Sequence, residues 1–170
     1  MAHRNEIDTF RAVWNMEAQN TIKLLETLPP DKYDFRPDPK GRSLGELAWH
    51  LSEIDGYISH GAAQGKVDFE TTIPDMKRPR EIKLLAPGYR KVHEAAVARL
   101  EKLKNEDLDR TIPFMGMQMT IRDILWGTLL HHAIHHRGQL SLMCRLSGGR
   151  PAGIYGPTRE DMMAMQGGAK

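Results

Sequence analysis

Residues 120–146 limit the fold more than any other part of the chain. Thr120-Ile-Arg-Asp123 has the form of a helix-opening capping box, Ile121, Leu125, Leu129 and Met143 recur at helical spacing, and Gly148-Gly149 with Pro151 closes the stretch. Within it runs His-His-Ala-Ile-His-His, residues 131–136, which holds half of the eight histidines in the chain. A stripe this apolar has to pack against other elements. An imidazole carried on it needs a hydrogen-bond partner or a metal, since burying an unpartnered polar group costs on the order of one to a few kcal/mol.

The rest of the chain supplies elements for that stripe to meet. Residues 5–28 place Ile7, Phe10, Val13, Trp14, Met16, Thr21, Leu24 and Leu25 at spacings of three and four before Pro29-Pro30 stops the pattern, and residues 31–42 read as a loop. Ser43-Leu-Gly-Glu46 is a capping box that opens a second helix with Leu44, Leu47, Leu51, Ile54 and Ile58 on its apolar face. Residues 61–79 interrupt it with a connection long enough to suggest a binding loop. A third helix is expected over residues 80–104, with Leu84, Leu85, Tyr89, Val92, Ala96, Leu100 and Leu103 buried, and a short β-hairpin over residues 110–119 turning at Gly116. The expected fold is therefore all-α, a four-helix bundle with a hairpin before its last helix. At 170 residues it forms one domain, residues 1–170, able to bury a core without staples.

Composition removes several classes of function. The 24 basic and 22 acidic residues are interspersed, so the chain lacks the positive field that binding a nucleic-acid backbone requires. No run is long and apolar enough to suggest a membrane span, and residues 1–22 lack the apolar core of a signal peptide. The lone Cys144 excludes an intramolecular disulfide and points to a reducing compartment, with the cytoplasm expected. Paired Glu-x-x-His motifs and His-Glu-x-x-His are both absent, which removes ferritin-like di-iron and zincin chemistry.

Two residues four apart on a helix share a face about 6 Å apart, so His131 with His135 and His132 with His136 each have metal-ligand spacing. At about 100° per residue, His132 and His136 point with Ile121, Leu125, Leu129 and Met143. His131 and His135 fall at the edge of the stripe. A third ligand is expected at His50, which the second helix carries beside Leu47, Ile54 and Tyr57. His3, His60 and His93 read as surface residues, and Cys144 as a buried packing residue. Arg137 points away from the ligand pair, toward a carboxylate or the C-terminal tail. Glu46, Gln139 and Tyr155 are candidates for supporting the ligands or closing the pocket; Glu53, almost one turn after His50, could orient its imidazole or act as a base but reads first as solvent-facing. The ten methionines read as core filling.

Arg36-Pro37, Ser43-Leu-Gly-Glu-Leu-Ala-Trp-His50, His132-Ala-Ile-His-His-Arg-Gly-Gln139 and Ile154-Tyr-Gly-Pro157, in that order, resemble the DinB/YfiT-like metalloenzymes. The resemblance implies a four-helix bundle, often a homodimer, in which His50, His132 and His136 hold nickel, zinc or a similar divalent ion. It also implies kinship with thiol-dependent transferases and isomerases that use bacillithiol or mycothiol. Three imidazoles leave a divalent ion most of its charge and an open position, as in catalytic zinc sites. The expected function is a metal-dependent enzyme, a transferase, isomerase or hydrolase, acting on a small molecule with water or a low-molecular-weight thiol as nucleophile. The competing expectations are a non-catalytic metal-binding or stress-response protein and a structural dimer module with hydrogen-bonded histidines. A fourth position reachable from a cleft separates the enzyme from the first of these.

Overall fold

A computed structural model describes residues 5–167. In chain order it contains α1 (Glu6–Leu25), α2 (Leu44–Gln64), a 3-10 turn (Ile82–Leu84), α3 (Leu85–Leu100), a second 3-10 turn (Asn105–Asp109), β1 (Thr111–Phe114) and β2 (Met117–Thr120). A continuous helix over residues 121–146 follows, made of α4 (Ile121–Asp123), a π-helical stretch (Ile124–His131) and α5 (His132–Leu146), and α6 (Arg159–Gly167) comes last. The protein is mostly helical with one two-stranded sheet, as the sequence led us to expect.

The helix starts follow from local chemistry. Asn5 caps α1 by accepting from the Asp8 amide at 3.0 Å. At α2 the capping box is complete: the Ser43 hydroxyl accepts from the Glu46 amide at 3.2 Å and the Glu46 carboxylate accepts from the Ser43 amide at 2.9 Å. Such a cap contributes about 1 kcal/mol. Leu44, Leu47, Leu51, Ile54 and Ile58 are all buried, and α2 is the central helix, packed against α3, α5 and the π-helical stretch. It runs past the expected stop at residue 61 to Gln64, where Gly65 caps it in the left-handed conformation (φ 81°) and its amide bonds the Gly61 carbonyl. The third helix is shorter than residues 80–104. Its Pro87 falls in the first turn, where a missing amide donor costs nothing, and Leu84, expected in the core, lies on the preceding 3-10 turn and is exposed.

β1 and β2 pair antiparallel with Phe114 opposite Met117. Their two-residue turn, Met115-Gly116, has positive φ at both positions (47° and 82°), the conformation whose twist matches that of a tight hairpin. Gly116 meets that demand without strain. Met115 stands exposed at the tip while Phe114 is buried beneath it.

The π-helical stretch corrects one expectation. The amide of His132 bonds the Gly127 carbonyl five residues back, and these wider turns advance each residue by less than an α-helix does. Ile121, Leu125 and Leu129 are buried as expected, but in α5 the buried face is Arg137, Leu140, Met143 and Cys144. His132 and His136 flank that face instead of centring it. The methionine expectation fails as well. Met16, Met115, Met117, Met162, Met163 and Met165 are exposed, and among the described methionines Met143 alone belongs to the buried core. The exposed ones sit on outer helix faces, the hairpin and α6, beyond the core's reach.

One glycine records a close approach. A Cβ on Gly45 would lie 2.2 Å from Cε2 of the buried Tyr33 ring, and the Gly45 amide bonds the Tyr33 carbonyl at 2.9 Å, so the ring cannot swing aside independently. Gly45→Ala should destabilise the protein by about 1–3 kcal/mol in urea unfolding. Gly138→Ala, where nothing lies within 4 Å, should be neutral or stabilising. Equal stability of the two variants would show that Tyr33 does not seat on α2.

Candidate metal centre

α2 carries His50 at its middle, and α5 carries His132 at its start and His136 one turn later. One nitrogen from each lies within 4.8 Å of the other two. The ring centroids are 5.7 Å (His50 to His132), 4.8 Å (His50 to His136) and 4.5 Å (His132 to His136) apart. Among the described residues this is the group of His, Cys, Asp or Glu side chains close enough to hold an ion.

The outward nitrogens are occupied by acceptors. His50 Nδ1 faces Glu53 Oε2 at 3.0 Å, His136 Nδ1 faces Gln139 Oε1 at 2.7 Å, and the His132 ring bonds the backbone of Thr128. A carboxylate, an amide oxygen and a carbonyl each require N–H, which leaves the lone pair of the other nitrogen turned inward. His132 Nε2 and His136 Nε2 stand 2.7 Å apart. Two lone pairs repel at that distance unless a proton or a cation lies between them, so the donor set fits a divalent transition ion. Gln139 is held in turn by its amide nitrogen, 3.1 Å from His135 Nε2, which fixes its oxygen toward His136. That gives the exposed His135 a place in the arrangement. His131 is exposed and contributes nothing to it.

Electrostatics keeps the pair neutral. Burial pushes the His136 imidazole down to about 4, with His132 and His50 adding to the effect against the Gln139 bond. Burial also lowers His132, followed by the charges of His50 and, more weakly, His135 and Arg42. The neutral imidazole is the form that ligates metal.

The three histidines line a cavity of about 520 Å³ together with Ile54, Tyr57, Ile58, Phe69 and Phe114. Exposed Arg42, Phe69 and Met115 ring its mouth. Tyr57, Phe69 and Phe114 form an edge-on aromatic series with centroid spacings of 5.9 and 6.2 Å, so the 61–79 connection does wall the cavity, through Phe69. Phe114 and Met115 line it, whereas Met117 is exposed and lies outside it.

Other expected site residues lie elsewhere. Glu46 is held by the capping box and by Arg36 at 2.8 Å; the Arg36 bond, then the Ser43 amide, keeps its carboxyl at about 2, and it does not meet the histidines. Tyr155 donates to Glu17 at 2.7 Å and also bonds Arg137, away from the cavity, so it anchors the tail and does not close the pocket. Arg137 binds both the Glu17 carboxylate and the Tyr155 hydroxyl. Cys144 is buried, with burial raising its thiol, and takes no part.

Two residues were misplaced by the sequence reading. Glu53 supports His50, and its position three residues along the same helix was the available signal. His93 is buried, with Nδ1 2.7 Å from Asp55 Oδ2 and Nε2 3.0 Å from Asn15 Oδ1, while Trp14 donates to Asp55 at 3.2 Å. Its place four after Tyr89 and three before Ala96 puts it on the buried stripe of α3, despite the neighbouring Lys91 and Glu94. His60 is partly buried, and His3 lies outside the described residues.

A helical bundle with a three-histidine candidate metal centre at the floor of an apolar cavity is the class of protein these features define. The DinB family model matches residues 1–168, and the chain belongs to the DinB family. It is 31% identical over 159 residues to the uncharacterized protein YrdA of Bacillus subtilis (strain 168), covering 91% of each chain. A DinB-like protein from Bacillus cereus ATCC 10987 superposes with a TM-score of 0.73 at 30% identity, over 87% of this chain and 97% of that one. A second, YjoA from Bacillus subtilis, gives 0.67 at 27% identity, over 82% and 92%.

The depressed His136 value has a consequence for the metal-free protein. Its folded value of about 4 lies below the ordinary 6.5, so the unfolded chain binds the proton first as pH falls. This contribution to stability is intact above about 6.5 and is lost progressively toward pH 4. By NMR on chelator-treated protein, the His136 ring should remain neutral down to about pH 4; a midpoint at the ordinary imidazole value would contradict the burial assigned to it.

Proposed function

We propose that the protein is a metal-dependent enzyme of the thiol-dependent transferase, isomerase or hydrolase type, acting on a small molecule. The observation that carries this reading is the cavity that opens directly onto the three histidines. A non-catalytic metal-binding or stress-response protein has no use for a solvent-reachable space beside its ligands. His50, His132 and His136 would hold the ion, nickel or zinc by the resemblance to this family. When bound, it would supply Lewis acidity to a water or a low-molecular-weight thiol at its open position. The protein's own part is to orient the imidazoles through Glu53, Thr128 and Gln139, keep those of His132 and His136 neutral, and wall the space beside them with Tyr57, Phe69 and Phe114. One domain over residues 1–170, a homodimer and a cytoplasmic setting belong to the same reading. No helix among the described residues is long and apolar enough to cross a membrane.

Untagged protein purified without chelator should carry about one divalent ion per chain by elemental analysis, the stoichiometry of a single three-imidazole site. His50→Ala and His132→Ala should each abolish retention. Gln139→Ala and Glu53→Ala should weaken it by roughly 10–100-fold with the helical signal unchanged. Full metal retention in both histidine variants would end the ligand assignment. Absence of turnover in a screen of activated electrophiles against water and several low-molecular-weight thiols would move the protein to the non-catalytic class.

A further inference from the structure

The cavity next to the histidines has a charge pattern that specifies more than a small molecule. Its walls are carbon-rich, contributed by Ile54, Tyr57, Ile58, Phe69, Phe114 and Met115. Two charged side chains join them, and they differ in status. Glu53 is already engaged with His50 Nδ1 at 3.0 Å. Arg42 is not engaged: among the described residues it has no ion pair and no side-chain hydrogen bond, although the nearby Arg36 and Arg78 both reach Glu46.

A guanidinium presents a planar fork that matches a carboxylate with two parallel N–H···O bonds, and Arg42 offers that fork from the exposed rim, where the apolar walls begin. Lining one cavity with an uncommitted Arg42 at the mouth, aromatic and aliphatic walls, and the imidazoles makes it selective for a molecule with an anionic head and an apolar body. The volume of about 520 Å³ lies within the usual range for small-molecule sites.

We infer that the substrate is a small amphipathic carboxylate, its head paired with Arg42 at the mouth and its apolar body lying among Tyr57, Phe69 and Phe114 beside the histidines. This rests on the enzyme reading for what happens next to the histidines, but Arg42 and the apolar walls act whether or not an ion is held. Arg42 is a specificity-determining residue in this assignment.

Isothermal titration with 4-phenylbutyrate and with 4-phenylbutyramide, the same shape without the charge, tests it on full-length zinc-loaded protein and on chelator-treated protein. The carboxylate should bind roughly tenfold or more tightly than the amide in both forms, the difference expected of a charge-assisted pair. Arg42→Gln should bring the ratio close to one, and Arg42→Lys should restore part of it. Phe69→Ala should weaken both probes by a similar factor. Equal binding of the two probes, binding of neither, or a ratio that survives Arg42→Gln would overturn the inference. A preference confined to the zinc-loaded form and unchanged in Arg42→Gln would place the carboxylate on the metal, sinking the Arg42 assignment while supporting the metal centre. A preference that depends on Arg42 in a protein that takes up no zinc would uphold the carboxylate site and refute the metal reading.

Discussion

Arg137 lies 3% exposed between α5 and α1, and its guanidinium has to be satisfied there or the fold carries an uncompensated buried charge. Glu17 supplies a carboxylate oxygen and, at 2.8 Å, its backbone carbonyl, while Tyr155 adds a hydroxyl from the tail. Removing one partner from a buried pair of this kind typically costs about 3–5 kcal/mol. The pairing therefore fixes the rotation of α5 about its own axis. His136 precedes Arg137 by one residue, about 100° around the helix. With Arg137 held toward α1, His136 and His132 are aimed at α2, where His50 stands.

The apolar stripe continues into α5 through wider helical turns. Ile121, Leu125 and Leu129 are fully buried, as are Leu140 and Cys144, so the buried side runs from the hairpin end of this helix to its last turns. The π-helical turns of Ile124–His131 lie between the two sets. They also redirect the His132 amide to Gly127, and the Thr128 backbone meets the His132 ring. An irregularity in the helix thus places one imidazole and orients it at once. The corresponding supports for the other two, Glu53 and Gln139, come from ordinary i, i+3 geometry on α2 and α5.

Which parts of this were legible in sequence follows from the same physics. The caps at Ser43 and the hairpin turn at Gly116 are set by residues adjacent in the chain, so local rules find them. The bundle comes from periodicities strong enough to survive errors of a few residues at their ends. Helical phase singles out His132 and His136 from the run of four, but it does so on the assumption of uniform α-helix. The structure groups that pair with His50 although the stripe it was drawn on breaks at the π-helical stretch. Nothing in residues 124–131 announces wider turns, and Glu17 and Tyr155, which hold Arg137 of the helix that follows, lie over a hundred residues before that stretch and more than twenty after it. His93 failed for a different reason: charged neighbours were weighed above its own helical face, and its partners Asp55 and Asn15 come from other helices. Glu46 and Tyr155 were drawn into the site by sequence nearness to the motifs, while ion pairing and hydrogen bonding hold them elsewhere.

Two polar systems divide the labour inside this bundle. Asp55, His93 and Trp14 form a buried set between α1, α2 and α3 with the exposed Asn15 at its edge; each bonds another member and none lines the cavity. Satisfied polar groups between helices specify how those helices register against one another. The histidine group is the opposite case. Its outer nitrogens are satisfied, its inner ones converge without acceptors to spare, and the space beside them is walled with carbon instead of with partners. A bundle that needed histidines only to hold helices together would have closed that side as it closed the other. The difference between the two sets supports the proposed metal centre at His50, His132 and His136 and an architectural place for His93.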